Sequence, residues 1–186
     1  MSARPELENA LPSLNRFITT HDSTTKKAIF SDAVNETLGW TSLPGATFAL
    51  PYLTKTHPVN LTDSTDIKTY TPFLTSPPGL VASGGSVLRF VDMQPGTLSP
   101  MHRTVSLDYG VVIEGEVELV LDSGETRVLR RGDVAIQRAT MHAWRNTSAD
   151  KWARMVFVLL ESQPIEINGE KLGEELGTME GVPASH

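Results

Sequence analysis

Two histidines and one aspartate carry the strongest chemical signal in this 186-residue sequence. His102 and Asp108 lie in one stretch of alternating residues, and His142 follows near the start of a later strand-like run. Because side chains alternate along a β-strand, His102, Thr104 and Asp108 are expected on one face where no bulge intervenes. His142 can project from a facing strand, so the sequence predicts that these groups converge on one cavity.

Two imidazoles and one carboxylate match the ligand set of non-haem Fe(II) sites, and the same set serves Zn, Mn or Ni. We therefore predict His102, Asp108 and His142 as catalytic residues and as ligands of one divalent metal. Other interpretations stay open. Either histidine can act as a general base without a metal, or both can be buried and bonded to backbone groups. Asp108 can instead pair with Arg103 or cap a strand end.

Further residues are predicted to contact a small-molecule substrate from their positions on the same strands. Arg138 is expected to bind an anion, and Trp144 to form a stacking wall. His21 and His57 lie in turn-like contexts and are predicted at the surface, not among the ligands. The full set of predicted substrate contacts is Arg89, Thr104, Tyr109, Gln137, Arg138 and Trp144.

These residues must be positioned by short strands, which dominate the second half of the chain. Apolar residues alternate or cluster in short runs, and the runs are separated by Gly-, Pro- and Asp-containing turns. Strands this short, turning this often, favour an all-β sandwich or closed barrel. The runs are SVLRFVDM, YGVVIEGEVELVLDSGETRVLRRGDVAIQ, HAWRN and ARMVFVLLES.

The flanking segments are predicted to surround that barrel within one structural domain. LNRFITTHDSTTKKAIF indicates a two-stranded N-terminal β arm, SDAVNETLGW one or two helical turns, and TFALPYLTKT a strand interrupted at Pro51. Ser64 to Gly85 is predicted as loop, and the chain from Ile167 onward as a short helix or loose tail. The predicted divisions are 1–85 for the arm and the strands packing on the barrel, 86–162 for the barrel core, and 163–186 for the tail.

Composition argues against several classes of partner and cofactor. A net charge of -6, with no run of Lys or Arg, disfavours nucleic-acid binding. Cysteine is absent, so thiolate chemistry is excluded, and no glycine-rich nucleotide or flavin motif is present. No stretch has the length of a membrane span or the apolar core of a signal peptide, so a cytoplasmic location is expected.

The spacing around the histidines resembles the two motifs of the cupin superfamily. Gly96, His102, Asp108 and Gly115 follow the order and intervals of the first motif. Residues 132–146 are similar to the second motif. They run from a Gly-Asp turn to a histidine, three further residues and an asparagine. The resemblance implies a double-stranded β-helix, the jelly-roll barrel, carrying one motif set.

At two positions the chain departs from the usual metal-binding pattern of the superfamily. Thr104 stands where most metal-binding cupins have a second histidine, and Asp108 where they have glutamate. From Asn15 to Ser162 the chain is similar to small cupins of fungal secondary-metabolite clusters, described as cupin-domain-containing oxidoreductases. In that group the His-Arg-Thr and Asp-Tyr-Gly triplets belong to the usual pattern.

The resemblance implies a tailoring enzyme acting on a polyketide-derived intermediate that is aromatic or bears an aldehyde. Metal-assisted oxidation is the leading hypothesis. The alternatives are a dehydratase, isomerase, cyclase or decarboxylase using histidine acid-base catalysis, and a barrel that only binds a small molecule. A homodimer is predicted, because single cupin domains usually pair through the outer sheet and the arm from Leu14 to Phe30 can add strands to a partner.

Overall fold

A computed structural model describes residues 8–185, and β-strands form most of its regular structure. The strands are β1 (Thr19–His21), β2 (Ala28–Phe30), β3 (Trp40–Leu43), β4 (Ala46–Thr54), β5 (Ser86–Met93), β6 (Ser106–Glu114), β7 (Glu116–Leu121), β8 (Thr126–Arg130), β9 (Val134–Arg138), β10 (His142–Asn146), β11 (Ala153–Glu161), β12 (Ile165–Ile167) and β13 (Glu170–Leu172). One short helix, α1 (Thr65–Tyr70), lies between two 3₁₀ segments, Thr62–Ser64 and Thr71–Leu74.

Two antiparallel sheets form the barrel. The larger has six strands in the order β3-β4-β5-β11-β6-β9, and the smaller has three in the order β10-β7-β8. Val112 and Met155 of the large sheet pack in one cluster with Val117 and Trp144 of the small sheet. This packing joins the inward faces of the two sheets and confirms the predicted all-β barrel.

The reversal between β6 and β7 depends on Gly115. Its φ is +81°, a backbone conformation that residues with a Cβ adopt only with strain. A Cβ there would also lie 3.1 Å from the Cβ of Ala153. The glycine therefore permits both the tight turn and the close approach of β11, which borders the site.

Alternation along β6 turns polar side chains toward the barrel interior. Ser106 and Asp108 are buried, while Tyr109 is 39% exposed on the outer face. β11 pairs with β6 on one side and with β5 on the other, and so it links Asp108 to the strand that carries Arg89. The sheet register thus fixes these inward side chains on one curved surface.

Two predictions about helical structure were wrong. Residues 31–39, predicted to form helical turns, contain no helix and run as irregular chain into β3. Helical structure instead occupies 62–74, inside the segment predicted as loop. The side chains of Ile67 and Tyr70 are buried against Leu53 and Val87 of the large sheet. This packing stabilises the helix, although the surrounding residue types favour turns.

The C-terminal segment was predicted as a short helix or loose tail, and it contains a hairpin followed by a tail without regular structure. β12 and β13 form a hairpin, and residues 174–185, here called the C-terminal strap, then return to the barrel. Glu175 and Arg103 exchange two backbone hydrogen bonds of 2.7 and 2.8 Å. The backbone N–H of Val81 donates to Ser185 Oγ at 3.0 Å, which anchors the far end of the strap.

The predicted N-terminal hairpin is present, with Thr19 opposite Phe30 in an antiparallel pair. The first seven residues of the predicted arm lie outside the described residues. The division at 85 and 162 stays a prediction, although β4 on one side of residue 85 is hydrogen-bonded to β5 on the other. No helix within residues 8–185 has the length and apolar character needed to cross a membrane.

Candidate functional site

A cavity of about 260 Å³ lies within the barrel. Its polar wall is formed by Arg89, His102, Thr104, Asp108 and His142. The remaining wall is largely apolar and includes Phe48, Val91, Trp144 and Phe157. This volume is close to the lower end of ordinary ligand sites, about 300 Å³, and therefore suits a small organic molecule.

The two histidines are held against each other by their own backbones. The His102 N–H donates to the His142 carbonyl at 2.8 Å, and the His142 N–H donates back to the His102 carbonyl at 2.9 Å. This antiparallel bridge brings the imidazole centroids to 4.4 Å with an interplanar angle of 49°. Backbone pairing, and not a side-chain contact, therefore sets the geometry of the pair.

Backbone carbonyls also fix the tautomer of each imidazole. His102 Nδ1 lies 2.8 Å from the Pro100 carbonyl, and His142 Nδ1 lies 2.9 Å from the Thr140 carbonyl. Since a carbonyl oxygen only accepts, each Nδ1 holds a proton and each Nε2 keeps a free lone pair. Backbone carbonyls therefore accept a hydrogen bond from one nitrogen of each ring, as one of the interpretations predicted. The other nitrogen of each ring, Nε2, is available to act as a base or a ligand.

Burial keeps both imidazoles neutral. It lowers the pKa of His102, an effect partly offset by the hydrogen bond to Pro100. Burial also lowers the pKa of His142 to about 4, with a further contribution from the neighbouring His102. Near neutral pH the site therefore presents two uncharged bases to the cavity.

Asp108 lies in a small cluster of polar side chains. Ser106 Oγ lies 2.5 Å from Asp108 Oδ1 and 2.7 Å from Thr104 Oγ1. Burial raises the pKa of Asp108 to about 6, although the hydrogen bonds from Ser106 and Thr104 act in the opposite direction. The alternative pairing of Asp108 with Arg103 is not what the structure shows, because Arg103 pairs with Glu175 at 3.4 Å.

The predicted three-ligand metal site is not assembled. Among residues 8–185, no group of three or more His, Cys, Asp or Glu side chains comes together in a way that could hold a metal ion. His102 and His142 offer two nitrogen donors, while the Asp108 carboxylate is bonded within its own serine and threonine cluster. The residues present therefore do not fit the three-ligand set predicted from the sequence.

The predicted substrate contacts divide into those inside and those outside the cavity. Arg89, Thr104 and Trp144 line it. The Trp144 ring meets His142 edge to face, with centroids 5.9 Å apart. Arg89 is 5% exposed, and burial lowers its pKa to about 10.

Tyr109, Arg138 and Gln137 do not line the cavity. Tyr109 and Arg138 are exposed, because each alternates with an inward neighbour on its strand. Gln137 is buried opposite Asp108 in the β6–β9 pair, but its side chain accepts a hydrogen bond from Thr140 Oγ1 at 2.5 Å. The predicted anion-binding role of Arg138 in the cavity is therefore contradicted by its position.

The C-terminal strap contributes wall residues that the sequence interpretation missed. Thr178, Met179 and Glu180 line the cavity from a segment predicted as tail. No local pattern marks them, because their position depends on contacts with Arg103 and Val81 far back in the chain. Phe48 and Val91 were also missed, although Val91 follows from the alternation that places Arg89 inside.

Comparisons with known proteins agree with this architecture. The profile of the Cupin domain family matches residues 89–159. Phomopsin biosynthesis cluster protein D of Diaporthe leptostromiformis is 54% identical over 164 residues, covering 88% of this chain and 86% of the relative. Oryzines biosynthesis cluster protein J of Aspergillus oryzae is 41% identical, covering 95% of this chain and 98% of the relative.

A third relative carries an activity in its name. The cupin-domain-containing oxidoreductase fogC of Aspergillus ruber is 42% identical over 166 residues, covering 88% of this chain and 80% of the relative. Among solved structures, the Schizosaccharomyces pombe Cnp3 cupin domain aligns with a TM-score of 0.48 at 10% identity, covering 80% of this chain and 88% of that one.

Proposed function

Because this chain belongs to the cupin family and its relatives are named for fungal biosynthesis clusters, we propose that it is a tailoring enzyme that moves protons on a small intermediate. The observation that carries this proposal is the neutral imidazole pair, whose Nδ1 protons are bound by Pro100 and Thr140. That arrangement leaves two Nε2 lone pairs at a largely apolar cavity.

The proposed reaction begins with removal of a proton from a carbon next to a carbonyl group. The proton passes to Nε2 of His142 or His102, and the C–H electron pair moves onto the carbonyl oxygen to give an enolate. Asp108, in its protonated form, then supplies a proton to the substrate. Return of the proton at a new position is an isomerisation, and loss of hydroxide as water is a dehydration, so neither outcome consumes an oxidant.

A polyketide-derived intermediate bearing an aldehyde or ketone suits this chemistry, because C–H bonds next to a carbonyl are acidic. The cavity volume of about 260 Å³ supports a compact substrate. Apolar walls near Phe48 and Trp144 favour a hydrocarbon or aromatic body.

The proposal is tested with purified protein in D₂O and an extract of the source strain in which this gene is deleted. We expect one accumulated small molecule to be consumed without O₂ and in the presence of EDTA. The product is expected to be either an isomer that carries deuterium at carbon or a compound lighter by one water. Exposed His21→Gln serves as a matched variant and is expected to retain wild-type consumption. The proposal is contradicted if the wild-type protein consumes no accumulated compound, or if its product is neither a deuterated isomer nor a dehydrated compound.

Metal-assisted oxidation is the second candidate, and the names of relatives such as fogC favour it. The two free imidazole nitrogens support binding of one divalent ion, Fe(II) or alternatively Zn, Mn or Ni, but no third protein ligand is in place among residues 8–185. Consumption that requires O₂, stops with EDTA and returns with one of these ions would favour oxidation over proton transfer.

We also propose that the chain forms a homodimer through the outer sheet face and the N-terminal arm. Tyr109, Val134 and Ile136 form an exposed apolar group on β6 and β9. Phe17 and Phe30 contact each other edge to face on the arm and are both more than half exposed. Light scattering of the wild-type protein is expected to give twice the chain mass. The Ile136→Asp variant is expected to give the monomer mass, because a charge is placed in the apolar group. A wild-type monomer at micromolar concentration contradicts this prediction.

A further inference from the structure

Arg89 holds a buried positive charge without a neutralising group. Its side chain is 5% exposed, and its Nε is buried with no hydrogen-bond partner in the described structure. Nη2 donates to the Gly79 carbonyl at 2.8 Å, and the guanidinium carbon lies 5.0 Å from the centre of the Phe48 ring. No carboxylate within residues 8–185 lies at ion-pair distance from it.

Arg154 shows how the same fold compensates a buried arginine. It is 2% exposed on β11, and its Nε and Nη2 each donate to an Asp92 carboxylate oxygen at 2.6 Å. Its Nη1 also donates to the Pro12 carbonyl at 2.8 Å. Burying a charge without a partner destabilises the folded state. The ion pair with Asp92 offsets this effect at Arg154, whereas no ion pair within residues 8–185 offsets it at Arg89.

The acidic residues of the cavity wall do not supply the missing partner. Asp108 is bonded to Ser106, and Arg89 is not among the causes of its altered pKa. Glu180 lies on the exposed C-terminal strap and forms no ion pair in the part of the chain that the structure describes. The neutralising group is therefore to be sought in the molecule that fills the cavity.

We propose that the substrate carries a carboxylate and that Arg89 is the residue that selects it. The planar guanidinium presents a fork of N–H donors that matches two carboxylate oxygens, and its free Nε is one member of that fork. The apolar walls at Phe48, Val91 and Phe157 then contact a short hydrocarbon body. The inference rests on the proposed function in one respect, namely that this cavity is the substrate site.

The test compares hexanoate with hexanamide, which has the same carbon chain and no charge. Calorimetric titration of the wild-type protein is expected to show hexanoate binding about tenfold tighter or more, the effect of one charge-assisted hydrogen-bond pair. Arg89→Met is expected to remove this preference. Arg89→Lys, which keeps the charge without the fork, is expected to retain only a small part of it.

Arg138→Met is the matched control, since Arg138 is exposed outside the cavity. It is expected to bind both probes as the wild type does. A second readout is the Tm without ligand, which is expected to rise by several degrees in Arg89→Met, because an apolar side chain replaces an uncompensated charge.

The proposal is overturned if the wild type binds neither probe or binds both equally. It is also overturned if Arg89→Met, or Arg89→Lys where the methionine variant does not fold, keeps the full hexanoate preference. Binding of these probes involves no turnover. A missing carboxylate preference therefore leaves the proton-transfer proposal intact, and missing deuterium incorporation leaves the role of Arg89 intact.

Discussion

Replacing His142 by glutamine is expected to lower kcat by about 10²–10⁴-fold, the usual contribution of a positioned general base. Glutamine is similar in reach and can keep a hydrogen bond to the Thr140 carbonyl, but it has no basic lone pair. The measurement is the rate at which saturating substrate is consumed. A His142→Gln rate within twofold of wild type would show that His142 is not the base.

The pH dependence of the wild-type rate follows from the same groups. The His142 pKa of about 4 means that the base becomes protonated, and the rate falls, below about pH 4. The Asp108 pKa of about 6 means that the proton donor is lost, and the rate falls, above about pH 6. A bell-shaped profile with a maximum near pH 5 is therefore expected.

His57→Gln is the matched control for the histidine substitution. His57 is exposed and precedes Pro58 in a turn outside the cavity. The same chemical change at this position is expected to leave the rate and its pH profile unaltered. Comparable losses in His57→Gln and His142→Gln would indicate a general effect of the substitution and not the loss of a base.

Asp108→Asn is expected to make the protein more stable at pH 8 by about 3 kcal/mol. Asparagine has the shape of aspartate, but it does not place a charge among the buried side chains of β6. Burial raises the Asp108 pKa from its ordinary 3.8 to about 6, so ionisation of this carboxyl is less favourable in the folded protein than in the unfolded chain. The measurement is the free energy of unfolding in urea.

The sign of this effect depends on pH. A raised pKa in the folded state means that the unfolded chain loses its proton first, so Asp108 lowers stability progressively as the pH rises from about 4 to about 6. Above that range both states are ionised and the effect levels off. At pH 4 the two proteins are expected to differ by less than about 1 kcal/mol. Because both keep His142, the difference between them isolates Asp108.

Exposed Asp122→Asn provides the control for this experiment, since Asp122 lies in the turn between β7 and β8. It is expected to change stability by less than about 0.5 kcal/mol at either pH. An Asp108→Asn variant that is less stable than wild type at pH 8 would mean that the Ser106 hydrogen bond to the carboxylate outweighs the desolvation of the charge.

The sequence was sufficient to predict the features of the site that depend on strand periodicity. His102, Thr104 and Asp108 were predicted on one face, and Arg89 and Trp144 were predicted near the pocket; all five line the cavity. The same periodicity explains the errors at Tyr109 and Arg138. Each directly follows an inward residue, Asp108 or Gln137, and therefore points outward.

Features that depend on long-range contacts could not be predicted from local patterns. The hydrogen bond from Ser106 Oγ to Asp108 Oδ1 orients the Asp108 carboxyl group. The spacing of acidic residues and histidines along the sequence does not predict this hydrogen bond. The helix at Thr65–Tyr70 forms because Tyr70 packs against the sheet, whereas its own Thr- and Pro-rich surroundings indicate loop. Tertiary burial overrode propensity at that segment.

Two separate parts of the chain border the cavity, namely the barrel segments that hold the imidazole pair and the C-terminal strap. The imidazole pair is fixed by the barrel backbone, whereas Thr178, Met179 and Glu180 approach the cavity on the segment that follows the last strand. An affinity tag appended after residue 186 would extend the segment that borders the cavity.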